Sequence, residues 1–149
     1  MPSTSIRPPK INKPIYLAFI GYSKSGKTVS MEKIIQYLTQ QDHFVLALKH
    51  TDIPNFTIDT EGKNTWRFGK AGANIVLAHS DNETTAMLKK KNLSQRDVLK
   101  FTQHLLEWKK IKETEKNPII LMEGFRNVDV PQILCASTLE DIEKQLNLG

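Results

Sequence analysis

Eight consecutive residues, Gly21-Tyr22-Ser23-Lys24-Ser25-Gly26-Lys27-Thr28, carry the clearest chemistry in the chain. They match the pattern GxxxxGK followed by Ser or Thr, whose physical purpose is to crowd hydrogen-bond donors around a phosphate chain. Gly21 and Gly26 let the backbone turn and come close to the ligand, and the amides of Ser23 to Thr28 can point inward. The helix expected to begin here adds its positive end. Lys27 is placed to reach the terminal phosphates, and Thr28 to put its hydroxyl on Mg2+. With Tyr22, Lys24 and the following Val29, this stretch is the candidate phosphate site.

A second candidate comes late in the chain. Four apolar residues, Ile119-Ile120-Leu121-Met122, end in Glu123-Gly124. An acid at the loop end of such a strand is what a phosphate-loop protein uses for a second magnesium contact or to orient a water. A third is the polar segment from Thr51 to Ala73, which holds Asp52, Asp59, Glu61, Lys63, Thr65 and Arg67. Connections this long are uncommon in compact domains and usually functional.

The elements that must position these residues follow from periodicity. Ile15 to Ile20 is an apolar run of strand length, and helical spacing from about Lys27 to Gln40 puts Met31, Ile34, Ile35 and Leu38 on one buried face. His43 to His50 reads as a strand buried on both faces, completing a right-handed strand-helix-strand crossover. A short helix is expected over Asn64 to Ala71, a strand over Asn74 to His79, and a weaker, edge-type strand over Thr84 to Leu88. Ser94 is a candidate N-cap for a helix to about Lys112, with Val98, Phe101, Leu105 and a core Trp108 on one face. A last strand, Gln132 to Ala136, contains Cys135 as a small buried hydrophobe and leads to a helix from about Leu139 to Leu146. The pattern predicts an α/β fold, a mainly parallel sheet with helices on both faces.

Composition sets the bounds. The chain has 149 residues, 39% of them hydrophobic and 25% charged, which suits a single domain over residues 15–149. Residues 1–14, with Pro2, Pro8, Pro9 and Pro14, are expected to form a flexible tail. No apolar run approaches the roughly 20 residues that span a bilayer, so no membrane role is expected. The N-terminus has no apolar core of the signal-peptide kind, and a single cysteine, Cys135, offers neither a disulfide framework nor a thiolate metal cluster. Both features point to a cytoplasmic location. The net charge of +5 is spread over the tail, Lys89 to Lys91, and the Lys109 to Lys112 region, without interleaved aromatic residues. It therefore suggests an anionic ligand rather than nucleic acid as partner.

Three blocks in order resemble one family, the molybdopterin-guanine dinucleotide biosynthesis adaptor proteins (MobB). They are GYSKSGKT, then LKHTDIPNFTIDTEGKNTWRFGKAGANIVLAHS, then LMEGFR followed shortly by PQIL. The resemblance covers roughly residues 14–137. It implies a P-loop NTPase fold, GTP and Mg2+ as cofactors, slow intrinsic hydrolysis and a homodimer; for that hydrolysis Lys27 and Glu123 are the candidate catalytic residues. It also implies work beside the molybdenum cofactor guanylyltransferase, with other cofactor-maturation proteins and the pterin cofactor as further candidate partners. By position, Gly21 to Val29, Lys49, Asp59, Lys63 and Arg67 would line the nucleotide site, with Thr28, Glu123 and Asp59 near the metal.

The chain departs from the family pattern at Asp52-Ile53-Pro54-Asn55, where a histidine-rich stretch is typical, and at Lys24, where a small residue is more usual. Tyr22 stands where the signature-lysine GTPases have lysine. No Asn-Lys-x-Asp or Thr-Lys-x-Asp run is present, so guanine preference comes from the resemblance alone. An alternative reading is a P-loop small-molecule kinase with Asp59 as base and Arg67 or Lys63 on the transferred phosphoryl group. The kinase reading lacks an arginine-rich lid segment after Arg126.

Overall fold

The computed structural model describes residues 13–89, 93–108 and 116–147. Most of the expected tail and the end of the third expected helix, residues 109–112, lie outside them. The elements are β1 (Ile15–Ile20), α1 (Lys27–Gln40), β2 (Val45–Lys49), α2 (Asn64–Lys70), β3 (Ile75–His79), β4 (Thr84–Leu88), α3 (Gln95–Glu107), β5 (Ile119–Glu123), β6 (Gln132–Leu134) and α4 (Leu139–Asn147). The expectation of one folded domain over 15–149 meets a finer division. One compact unit joins the residues up to His50 with those from Leu99 onward, and a second runs from Thr51 to Val98.

The first unit is a four-stranded parallel sheet in the order β2-β5-β1-β6. Parallel strands need a crossover, and α1 supplies the one from β1 to β2, passing β5. Strand side chains alternate between faces. On one face, Phe19, Ile119 and Leu121 form a cluster with Met31 of α1 and with Cys135, against which Leu17, Ile34, Ile35, Leu38 and Val45 pack. All four expected apolar residues of α1 thus serve as its inner face; full burial of such a side chain contributes about 1.5–3 kcal/mol, and the partly buried Ile34, Ile35 and Leu38 contribute less than Met31. On the other face Ala18, Ile120 and Met122 are also fully buried. Tyr16 projects there too, and its hydroxyl accepts a hydrogen bond from Gln103 of α3 at 3.3 Å. The parallel sheet is therefore flanked by helices, as the sequence pattern predicts.

Sheet order corrects the reading of the second strand. A continuous apolar run suggests burial on both faces, but β2 is an edge strand, with Ala47 and Lys49 exposed. The strand buried on both sides is β5, whose first four residues are all buried. The last strand ends at Leu134, short of Ala136.

In the second unit β3 and β4 pair antiparallel with each other as a separate two-stranded sheet, so they do not extend the parallel one. Val76 is buried on one face of β3, while Ile75 and Leu77 on the other are 60% and 64% exposed. The helix α2 packs against β3. Ahead of α3, Ser94 and Asp97 cap the helix reciprocally: the Asp97 amide donates to Ser94 Oγ and the Ser94 amide to Asp97 Oδ2, each at 3.2 Å. This is the capping box that Ser94 foreshadows. Trp108, expected in the core, is 58% exposed. It follows the last helical residue, Glu107, so the helical spacing that would have turned it inward no longer applies.

Candidate functional site

Phe19 of β1, Glu123 of β5 and Lys49 of β2 stand in one register row, so three strand ends finish side by side at the C-terminal edge of the sheet. Ligands of open α/β sheets bind at that edge. The phosphate loop leaves β1 there. Gly21 has φ 147°, and a Cβ at this position would lie 2.2 Å from the carbonyl oxygen of Cys135, so only glycine lets the loop start against β6. The loop then turns through Lys24 at φ 61°, a strained conformation for a residue with a side chain. It enters α1 at Gly26, which provides no side-chain cap, and the first turn of α1 contains no acidic residue. The amides at the start of α1 are thus left for an anion, and no carboxylate of the first turn competes for it.

Lys27 Nζ folds back over the loop. It donates to the carbonyl of Gly21 at 2.9 Å and to that of Tyr22, with Ser25 Oγ at 3.4 Å. Neutral oxygens hold the ammonium where a phosphate oxygen, forming a charge-assisted bond, would hold it more strongly. Next to it, Thr28 Oγ1 donates to both Glu123 oxygens, at 3.1 and 3.0 Å. Lys49 Nζ lies 3.3 Å from Glu123 Oε1, an ion pair whose lysine is 63% exposed and which therefore adds little stability. The structure brings Gly21, Lys27, Thr28, Lys49 and Glu123 together at this edge of the sheet. Among the described residues no group of three or more His, Cys, Asp or Glu is placed to hold a metal ion.

The turn after β5 explains other residues of the resembling blocks. Gly124 has φ 81°, and a Cβ there would come within 3.0 Å of the His50 carbonyl. Phe125 is buried, and the His50 ring meets it edge-on with centroids 5.9 Å apart. The Lys49-His50 and Gly124-Phe125 pairs therefore interlock and fix the height of Glu123. The next residue was missed by sequence reasoning: Arg126 Nη2 donates to the carbonyl of Gly21 at 3.0 Å. The signals were a cation three residues after the strand-end acid and its place in the LMEGFR block, and neither specifies a contact 105 residues back in the chain.

Asp59, Lys63 and Arg67 belong to the second unit. Asp59 has a different occupation from metal binding there. Its Oδ2 accepts from Lys89 Nζ at 2.7 Å, its Oδ1 accepts from the Thr65 hydroxyl at 2.8 Å and the Thr60 amide at 3.1 Å, and its side chain is 4% exposed. The Lys89 ammonium foremost, with the Thr65 and Thr60 donors, holds its pKa below the usual carboxylate value against the opposing effect of desolvation. Lys63 precedes α2 and Arg67 lies in its last turn, both exposed. An open groove of about 1090 Å³ in this unit is lined by Phe56, Ile58, Trp66, Lys70, Met87 and Lys89 among others. Among the described residues no helix is long and apolar enough to cross a membrane.

Fold and site together define a class: a parallel α/β protein with helix-flanked sheet, consistent with the P-loop NTPase fold, whose GxxxxGK loop joins the first strand to the first helix. Residues 16–147 match the model of the family described as molybdopterin guanine dinucleotide synthesis protein B, and the chain belongs to that family, MobB. It is 32% identical over 120 residues to the molybdopterin-guanine dinucleotide biosynthesis adapter protein of Haemophilus influenzae, covering 79% of this chain and 61% of that one. It is 29% identical over 125 residues to the probable adapter protein of Bacillus subtilis, covering 83% and 66%. The chain thus spans just under two thirds of the length of these relatives. Its fold is similar to the crystal structure of Bacillus subtilis MobB, with a TM-score of 0.69 and 23% identity over 87% of this chain and 72% of that one. The MobB homologue from Bacillus stearothermophilus superposes with a TM-score of 0.61 at 20% identity, covering 88% and 70%.

Proposed function

We propose that this protein is a GTP-binding adaptor with slow GTP hydrolysis, acting in the cytoplasm in molybdopterin guanine dinucleotide biosynthesis beside the guanylyltransferase. The observation that carries the reading is the convergence of Lys27 and Thr28 with Glu123, from two distant stretches of sequence, on the mouth of one phosphate loop. Membership of the MobB family, and the adapter names of the relatives, supply the pathway. The preference for guanine rests on the family resemblance, since the sequence has neither an Asn-Lys-x-Asp nor a Thr-Lys-x-Asp run.

The loop amides and the start of α1 bind the phosphate chain, and Lys27 exchanges its carbonyl partners for the terminal phosphates. Thr28 and Glu123 offer a hydroxyl and a carboxylate, hard oxygen donors that suit Mg2+, an ion that takes few protein ligands alongside phosphate oxygens and waters. When bound, Mg2+ would neutralise charge on the phosphates. Glu123, oriented by Thr28 and Lys49, accepts a proton or hydrogen bond from the attacking water. Asp59, spent on Lys89 and Thr65, is left out of the metal set. The same occupation counts against the kinase reading, which needs Asp59 as a free base.

A homodimer completes the account. A two-stranded sheet on its own is marginally stable, and the Ile75 and Leu77 face of β3 is open, so a second copy is proposed to cover it. Isothermal titration with Mg-GTP and Mg-ATP tests the nucleotide assignment: GTP should bind the more tightly, and equal or tighter ATP binding would overturn the guanine preference.

A further inference from the structure

We propose that Arg126 is a second cation of the phosphate site, one that contacts the terminal phosphate of a nucleoside triphosphate and makes the protein prefer triphosphate over diphosphate. The inference rests on the nucleotide-binding reading above. Arg126 Nη2 and Lys27 Nζ donate to the same oxygen, the carbonyl of Gly21, at 3.0 and 2.9 Å. Two nitrogens on one oxygen lie within about 6 Å of each other, a range in which like charges repel appreciably. A carbonyl dipole offsets this only in part, whereas a phosphate oxygen between the two cations would offset it with full charge. The guanidinium also suits the task, because its fork of donors matches phosphate geometry.

The position of Arg126 is set by the fold rather than by its own flexible side chain. Gly124 makes the left-handed turn that ends β5, and Phe125 is locked in the core against His50. The chain therefore delivers the next residue to the base of the loop. The phosphate it meets follows from Lys27. The motif lysine reaches the terminal phosphates, and Arg126 shares its anchoring carbonyl. A diphosphate would leave Arg126 on Gly21, and a triphosphate would draw it off.

A purely structural strap between the β5 turn and the loop would affect both nucleotides alike, and this separates the two roles. The experiment is titration of the protein with Mg-GTP and Mg-GDP, comparing the parent with Arg126→Ala and Arg126→Lys. Arg126→Ala should weaken GTP roughly tenfold or more while GDP changes less than about twofold. Arg126→Lys should restore part of the GTP affinity. Equal weakening of both nucleotides, or of neither, overturns the inference. Should the alanine variant fail to fold by circular dichroism, the lysine variant carries the same contrast: a loss larger for GTP than for GDP supports the inference, and an equal effect overturns it. A parent protein that binds neither nucleotide overturns the nucleotide reading itself, and this inference with it. A parent that binds both, with GTP and GDP affinities untouched by Arg126→Ala, overturns the inference alone.

Discussion

Gly21 occupies a position that no side chain can share. Alanine there must displace the Cys135 carbonyl, 2.2 Å from the added carbon, and must hold φ 147°. Gly21→Ala should therefore cost about 2–4 kcal/mol of folding stability, or shift the loop enough to lose nucleotide binding. Thermal melting read beside titration will distinguish these losses from a tolerated change. At Glu123 the expected split is between binding and turnover. Glu123→Gln keeps an oxygen for the Thr28 hydroxyl but lacks the charge, so GTP affinity should stay within about threefold while hydrolysis falls roughly tenfold or more. Hydrolysis at the parent rate would remove Glu123 from the reaction. Asp59 predicts a pH effect. Its folded pKa lies below the unfolded value, so its contribution is complete above the unfolded pKa of about 4 and is lost as pH falls through the lower folded value. Acid unfolding followed by circular dichroism should be less steep there in Asp59→Asn than in the parent, and that variant should be less stable at neutral pH.

Local signals predicted local elements well. The helical spacing of Met31, Ile34, Ile35 and Leu38 identifies the buried face of α1, and Ser94 three residues before Asp97 identifies the start of α3. Ser94→Ala should cost about 1 kcal/mol, measured by denaturant unfolding. The GxxxxGK loop was legible because its motif is written in contiguous residues. What was not legible depends on which distant segment a strand or side chain meets. An apolar run such as Phe44 to Leu48 is consistent with a central strand, and β2 is an edge only because β5 pairs with one of its sides and no described strand pairs with the other. Alternating residues in β3 and β4 do not say that the two strands choose each other. Asp59 looked like a free acid in a polar loop because Lys89, its partner, is 30 residues away. Arg126 was invisible for the same reason, since its carbonyl partner belongs to the opposite end of the sequence.

At the scale of the whole molecule, the parallel-sheet unit carries the proposed phosphate site, and the unit from Thr51 to Val98 carries the antiparallel pair with its open apolar face. If a second copy covers that face, replacing Ile75 and Leu77 together with aspartate should convert a dimer to a monomer in analytical ultracentrifugation. A parent protein that is monomeric at micromolar concentration would contradict the assignment. The phosphate site, built within the first unit, should bind nucleotide in the monomeric variant as well.

Lys27 and the surrounding loop are proposed to bind the phosphates of GTP. Isothermal titration of Mg-GTP into the parent protein and into Lys27→Ala tests it most directly. The parent should give a saturable isotherm, with ATP a weaker competitor, and Lys27→Ala should give no measurable binding while melting at a temperature close to the parent's. Binding of GTP by Lys27→Ala at the parent's affinity would contradict the account.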